Sequence, residues 1–451
     1  MPRRPNTQVT FTNVATDVLN AIKNSATTDY SSVVPYATPD AESLREIGNI
    51  IVHNPAIRNE FLDALVNRIA LMIIQSKSYR NPLSMFKRGF LELGETVEVT
   101  FVELAEVFNF DADVAETEVE KKVKPDVRSM FTAMNFQKFY KATVSSQMLK
   151  AAFLSWDGLN QLLDAIVQQL YTAMEYDEFQ VMKYMLARQI QAGRLYPVTV
   201  DPADRESTVA AMREMSNNFT FMKTDYNQAH VHNFTSRDDQ FIIINTHFDA
   251  EMSVKVLATA FNMTEAELLG HRVLIDGFGG LDIARLNKLL GNDPGYHEFG
   301  TSELEALNKI PAVLVDREYF LIFDHLLEAD ERRNQQGVYW NRWLHAWKTF
   351  AVSIFANAAM FLPAAPTVTS VAVNPATATL AKGATIQLSA NVVTTNFAPM
   401  QVTWASNSEH VTVTPEGLVK VLSTASAGAV EITATSVFDP TKTGKCTITV
   451  Q

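Results

Sequence analysis

An α+β body followed by an all-β immunoglobulin-like sandwich is the fold class that the sequence predicts, on three observations. One uninterrupted helical pattern runs from Trp156 to Gly193, short strands and helices alternate after it, and the composition changes abruptly at Pro363-Ala364-Ala365-Pro366.

The helical pattern organises the body. Leu159, Leu163, Ile166, Leu170 and Met174 recur at helical spacing and the series resumes at Val181, Met185 and Leu186, with Asp164, Gln168, Glu175, Lys183 and Arg188 expected on an opposite, polar face. Asp157 suits the N-cap, and Gly193 followed by Tyr196-Pro197 suits the stop. At 1.5 Å per residue such a helix spans roughly 50 Å, more than a compact domain needs, so it lies across something broad. Glu175-Tyr176-Asp177-Glu178 interrupts the apolar stripe and argues against a coiled coil.

Composition bounds the function. Of the 451 residues, 47% are hydrophobic, and 38 basic against 50 acidic residues leave a net charge of -12, which opposes nonspecific adhesion to nucleic acid. The single cysteine, Cys446, permits neither an intrachain disulfide nor a thiolate zinc site. The N-terminus has no apolar stretch of signal-peptide type, and the longest apolar run, Ala351 to Leu362, is too short to span a bilayer, so the chain is expected to be made inside the cell without a membrane partner.

Along residues 1–80, helical patterns at Val14 to Ile22 and Ala56 to Ile74 flank a looser Thr27 to Pro39, which reads as an N-terminal arm. After Asn81-Pro82, the segments Phe86 to Phe90 and Thr96 to Val102 are expected to pair as a long hairpin through Leu93-Gly94. An acidic run follows from Glu103 through Glu106 to Glu120, closed by Lys121, Lys122 and Lys124. Residues 197–311 mix strands at Phe241 to Asn245 and Val273 to Phe278 with a helix at Ala250 to Phe261. The stretches Ile310 to Phe323 and Tyr339 to Phe361 return as β-rich chain, with Trp340, Trp343 and Trp347 clustered, which suggests a discontinuous domain carrying an insertion. From Thr367 to Gln451, 17 Thr and 13 Val against 4 Leu, in short alternating segments broken by Gly turns, predict an autonomous sandwich with Trp404 in its core.

No residue pattern carries catalysis. Gly277-Phe278-Gly279-Gly280 follows a strand but misses the dinucleotide spacing and reads as a turn. His230-Val231-His232 lacks a third metal ligand, and Asp111-Ala112-Asp113 has Glu116 where a calcium loop needs Gly. No catalytic residue, cofactor or metal site is expected.

A series of short matches in order resembles the major capsid proteins of phi-29-like podophages. They include Val34-Pro35, Asn81-Pro82-Leu83 with Phe86-Lys87 and Gly89, Leu93-Gly94 with Thr96, Ser155-Trp156, Ala260-Phe261-Asn262-Met263, Ile275-Asp276-Gly277-Phe278, Ala312 to Asp316, Arg333-Asn334, Tyr339-Trp340-Asn341 and Phe355-Ala356-Asn357-Ala358. The C-terminal region is similar to bacterial immunoglobulin-like group 2 domains. The resemblance implies the tailed-phage capsid fold of the Hong Kong 97 type. Its parts are an N-terminal arm (1–80), an extended loop (81–130), a peripheral domain (131–196 and 312–362) with a spine helix at 156–193, an axial domain (197–311) and the immunoglobulin-like domain (367–451). It further implies hexamers and pentamers of this chain, a scaffolding protein during assembly, a portal protein, head fibres, and a shell that encloses double-stranded DNA without reading its sequence. The loop then reaches over a neighbouring subunit, so Phe86, Lys87, Arg88, Phe90, Glu103 and Glu106 are the candidates for the assembly interface. The competing reading is a phage tail or surface-binding protein with the same sandwich, which trimeric fibre sequence would distinguish.

Overall fold

In the computed structural model the long helix runs from Trp156 to Gln191 (36 residues) and is called α2, following the short α1 at Thr28–Val33. The structure describes residues 79–109, 122–145, 156–250, 271–334 and 339–451, with parts of 19–57. Of the expected helix at Val14 to Ile22, Leu19, Asn20 and Ile22 are described, and of that at Ala56 to Ile74, Ala56 and Ile57; the one at Ala250 to Phe261 lies beyond its first residue outside the described residues, as does the acidic run from 110 to 121. α1 corrects the reading of Thr27 to Pro39 as loose chain: Tyr30 and Val34 point into a small core with Ile22, Ala37, Ile47 and Ile57.

The chain divides into two compact units, one of 1–77, 143–169 and 332–341, the other of 78–142, 170–331 and 342–451. In the second unit, α2 ends in a glycine cap: Gly193 has φ 60°, its N–H donates to Ile190 O, and Arg194 N–H donates to Gln189 O. This is the paired-bond terminus that a left-handed Gly permits.

Two sheets pack on this helix. The five-stranded sheet has the order β5 (Tyr196–Thr199), β11 (Ala358–Leu362), β8 (Ala312–Asp316), β6 (Gln240–Asn245), β7 (Arg272–Ile275). Strands β6 and β8 are buried along their whole length, as their unbroken apolar runs require of a sheet covered on both faces. Ile243, Val313, Val315 and Met360 face α2, whereas Ile242, Ile244, Leu314 and Phe361 face α3 (Arg205–Phe219), which buries Met212, Met215 and Phe219 against them. The expected domain boundary at 311/312 therefore cuts a hydrogen-bonded ladder: β8 pairs antiparallel with both β6 and β11. The stretches that return in sequence complete the sheet of the region they follow.

The second sheet has the order β1 (Lys87–Phe90), β9 (Phe320–Asn334), β10 (Tyr339–Val352), β4 (Phe136–Ser145). The strand at 87–90 does not form the expected hairpin; it runs parallel to β9, with Phe90 beside Asp324. The second expected strand, β2 (Val97–Val102), pairs instead with β3 (Val127–Thr132). Gly89 and Gly94, at φ 134° and 90°, redirect the chain between them.

The sandwich from Thr367 to Val450 contains β12 (Thr367–Asn374), β13 (Thr377–Leu380), β14 (Thr385–Gln387), β15 (Ser389–Thr395), β16 (Val402–Ser406), β17 (Val411–Val413), β18 (Leu418–Val421), β19 (Gly428–Ser436) and β20 (Thr443–Val450). Its core includes Leu388, Val419, Ile432, Cys446 and Ile448, with Trp404 packed on it as expected.

Candidate assembly interface

The polar interruption of the helix at 175–178 is a buried hub. Glu178 has no accessible side-chain surface; it is ion-paired with Lys348 of β10 and, at 3.0 Å, with Lys87 of β1. Asp324 of β9 closes a charge-balanced quartet, 2.9 Å from Lys87 and 3.0 Å from Lys348. Burial acts to raise the Asp324 carboxyl, but the two ammonium groups outweigh it and hold the group below its ordinary range. Burial likewise opposes the charge on Lys87, and the two carboxylates overcome it. Asn81 Nδ2 donates to Glu178 Oε1 at 2.8 Å, and Asn81 N–H donates to Glu175 Oε2 at 3.1 Å, so the entry to the loop is fastened to the same turn of α2.

The other side of that turn holds α5 (Ile283–Leu290), numbered after α4 (Thr246–Ala250). Arg285 forms a two-pronged pair with the buried Asp177, Gln180 Oε1 accepts from Asp282 N at 3.0 Å, and Asp282 caps α5 by accepting from Arg285 N–H. Lys183, expected on the solvent face, is 2% exposed: it meets Asp276 and the Gly280 carbonyl and lies over the Phe179 ring. Burial pushes its ammonium below the ordinary lysine range, against the pull of Asp276. The Gly277–Gly280 turn is thereby explained by packing, since a Cβ at Gly279 would overlap the Leu304 carbonyl.

These contacts place the sequence candidates within the chain. Phe86 is 2% exposed and packs on Phe241 and Phe320, so it belongs to this chain's own core; burying such a ring contributes about 1.5–3 kcal/mol that an interface role would forfeit. Lys87 is held in the quartet, and Arg88 lies 3.3 Å from Glu318, so neither stands at a loop tip. Glu103 accepts from the His232 ring and backbone, and Phe101 stacks on Phe355 at 5.7 Å. Burial would raise the Glu103 carboxyl; its hydrogen bonds to His232 and Leu104 lower it. Arg128 donates to Ala229 O at 2.6 Å. A two-stranded ribbon is marginal alone, and the root of β2 and β3 finds its support on its own chain.

Several apolar side chains elsewhere are exposed. Phe90 of β1 is 65% exposed and Phe131 of β3 68%, and in the segment at the end of β2 Val107 is 91% exposed and Val102, Leu104 and Phe108 more than half. Glu106, between Leu104 and Val107 in sequence, is exposed as well. The sequence candidates include Phe90 and Glu106 but not Leu104, Val107 and Phe108, apolar residues interleaved with the acidic run that are exposed in this chain.

A long helix carrying buried ion pairs, two sheets packed on it and an extended two-stranded ribbon make up a body with the capsid fold of the Hong Kong 97 type. The fold is that of the capsid structure of Staphylococcus phage Andhra, matched with TM-score 0.53 at 13% identity over 66% of this chain and 88% of that one. The chain belongs to the Phi29-like phage major capsid protein family, whose model matches residues 19–362, while a bacterial Ig-like domain (group 2) matches 367–450. It is 32% identical to the major capsid protein of Bacillus phage PZA over 92% of this chain and 90% of that protein. The corresponding figures for Streptococcus phage Cp-1 are 24%, 76% and 92%. The chain is a major capsid protein, a structural subunit of the phage head built from many copies of itself, and the tail-protein reading is not favoured.

Proposed function

We propose that this subunit assembles around a scaffolding protein into hexamers and pentamers of a closed head, joins a portal protein at one vertex, and catalyses no reaction. Made in the host cytoplasm, it encloses double-stranded DNA, and its charge of -12 keeps the shell from adhering to the incoming polyanion. Head fibres would attach to the finished shell.

The observation that carries the assembly reading is the exposed segment at the end of β2. Leu104, Val107 and Phe108 leave three large apolar side chains in water within one short segment, and a neighbouring copy in a shell would cover them. The interface residues in this reading are Phe90, Leu104, Glu106, Val107 and Phe108, with Phe86 and Lys87 serving the fold. Co-expression with the scaffold, followed by negative-stain microscopy, tests it: closed shells, or tubes and sheets of capsomers, are expected, and only small discrete oligomers at high concentration would count against it.

A further inference from the structure

Three residues other than glycine hold a left-handed backbone among the described residues: His230 (φ 50°), Asn396 (φ 51°) and Phe397 (φ 59°). Asn and His tolerate that conformation best and a bulky ring tolerates it poorly, and such residues persist where the surroundings over-determine them. All three stand at one junction. There the turn between β15 and β16 of the sandwich meets the end of α2 and the loop at 225–231 of the body.

The surroundings are specific on both sides. Phe397, a sandwich residue, packs against the body's main core, while Ala398 beside it has no exposed surface. Asn396 Nδ2 donates to Ala365 O at 2.9 Å, tying the turn to the connecting segment. A Cβ on Gly193 would overlap the Ala398 carbonyl and lie 2.9 Å from Pro399 Cα, so the αL glycine that ends the spine helix is also the only residue type that lets the sandwich approach this closely. Gln401 spans the junction twice: its Nε2 donates to Gln228 O at 3.2 Å, and its Oε1 lies 2.8 Å from His230 Nε2.

We infer that this junction is a latch which locks the immunoglobulin-like module to the end of the spine helix, so that module and body open and close together instead of being joined only by the segment Pro363–Pro366. An appended, freely swinging sandwich would need none of these features. The latch is independent of how the shell is built, and it gives the module a fixed direction relative to the helix.

Hydrogen exchange of the unassembled full-length chain, read by mass spectrometry, tests this across the junction. The substitutions Gln401→Ala and, separately, Phe397→Gly are made on the module side, and exchange is read on the body side in the segment 190–199. The expected result is exchange there faster by about tenfold, the measure of a locally opened state, with β6 and β8 and the β19–β20 ladder unchanged. Unaltered exchange at 190–199 in both variants overturns the latch, as does a wild-type segment with no protection to lose. Gln401 lies outside the cores, so its variant carries the test if Phe397→Gly fails to fold.

Discussion

Glu178 of the spine helix and Lys348 of β10 form an ion pair in which the two side chains are 0% and 3% exposed. Taking both charges out of water is expensive, and the pair persists because Lys87, Asp324 and Asn81 complete its coordination.

Glu178→Gln should therefore lower the stability of the unassembled chain by about 3–5 kcal/mol, because it leaves two ammonium groups, one of them fully buried, sharing the single carboxylate of Asp324. Replacing both partners, with Glu178→Leu and Lys348→Met, should lose less than half as much, since Lys87 and Asp324 remain paired. Urea unfolding of the three proteins decides; equal losses for single and double variants would show that the pair has no special coupling.

The quartet also predicts a pH dependence. The Asp324 carboxyl sits below its ordinary 3.8 in the folded chain, so its contribution is present above that value and disappears as pH falls through the lower, folded one. The urea midpoint should drop as pH is lowered below about 4. In Asp324→Asn that acid-side drop should be smaller; an unchanged profile would remove Asp324 from the cause.

Lys87→Glu should reduce the melting temperature of the monomer, because it sets a third carboxylate beside Glu178 and Asp324. Arg88→Glu, which loses a pair with a 72%-exposed Glu318, should change stability by less than about 1 kcal/mol. Circular dichroism melting distinguishes the two, and equal shifts would contradict the quartet.

Val107→Lys with Phe108→Lys should leave that melting temperature unchanged and impair shell formation measured by light scattering. Normal assembly by this variant at every ionic strength would mean that this exposed segment is not the contact between copies.

Gly279→Ala should destabilise the monomer by about 2 kcal/mol or more, since the backbone carbonyl of Leu304 occupies the space a methyl would need. A neutral result would show that α6, the helix at Thr301–Asn308, shifts freely to make room.

The sequence by itself determined the long helix and its glycine stop, the sandwich with Trp404 in its core, and, through ordered short matches, the family. Those signals are local: a period of 3.6 or 2, a Gly that ends a helix, a Pro-flanked change of composition. Only the tertiary structure decided that Lys183 is buried, that the strand at 87–90 pairs with β9 and not with its neighbour, that β8 and β11 complete the sheet begun by β5–β7, and that Phe86 and Lys87 serve the interior. Those outcomes rest on partners distant in sequence, Lys87 with Glu178 across 91 residues and Arg88 with Glu318 across 230. A charged residue in a helical pattern reads as solvent-facing until the chain returns with its counter-charge, and an apolar residue reads as core until the fold leaves it uncovered. Long-range pairing settles both, which is why the fold was legible in the sequence and the burial of Phe86 and the pairing of Lys87 were not.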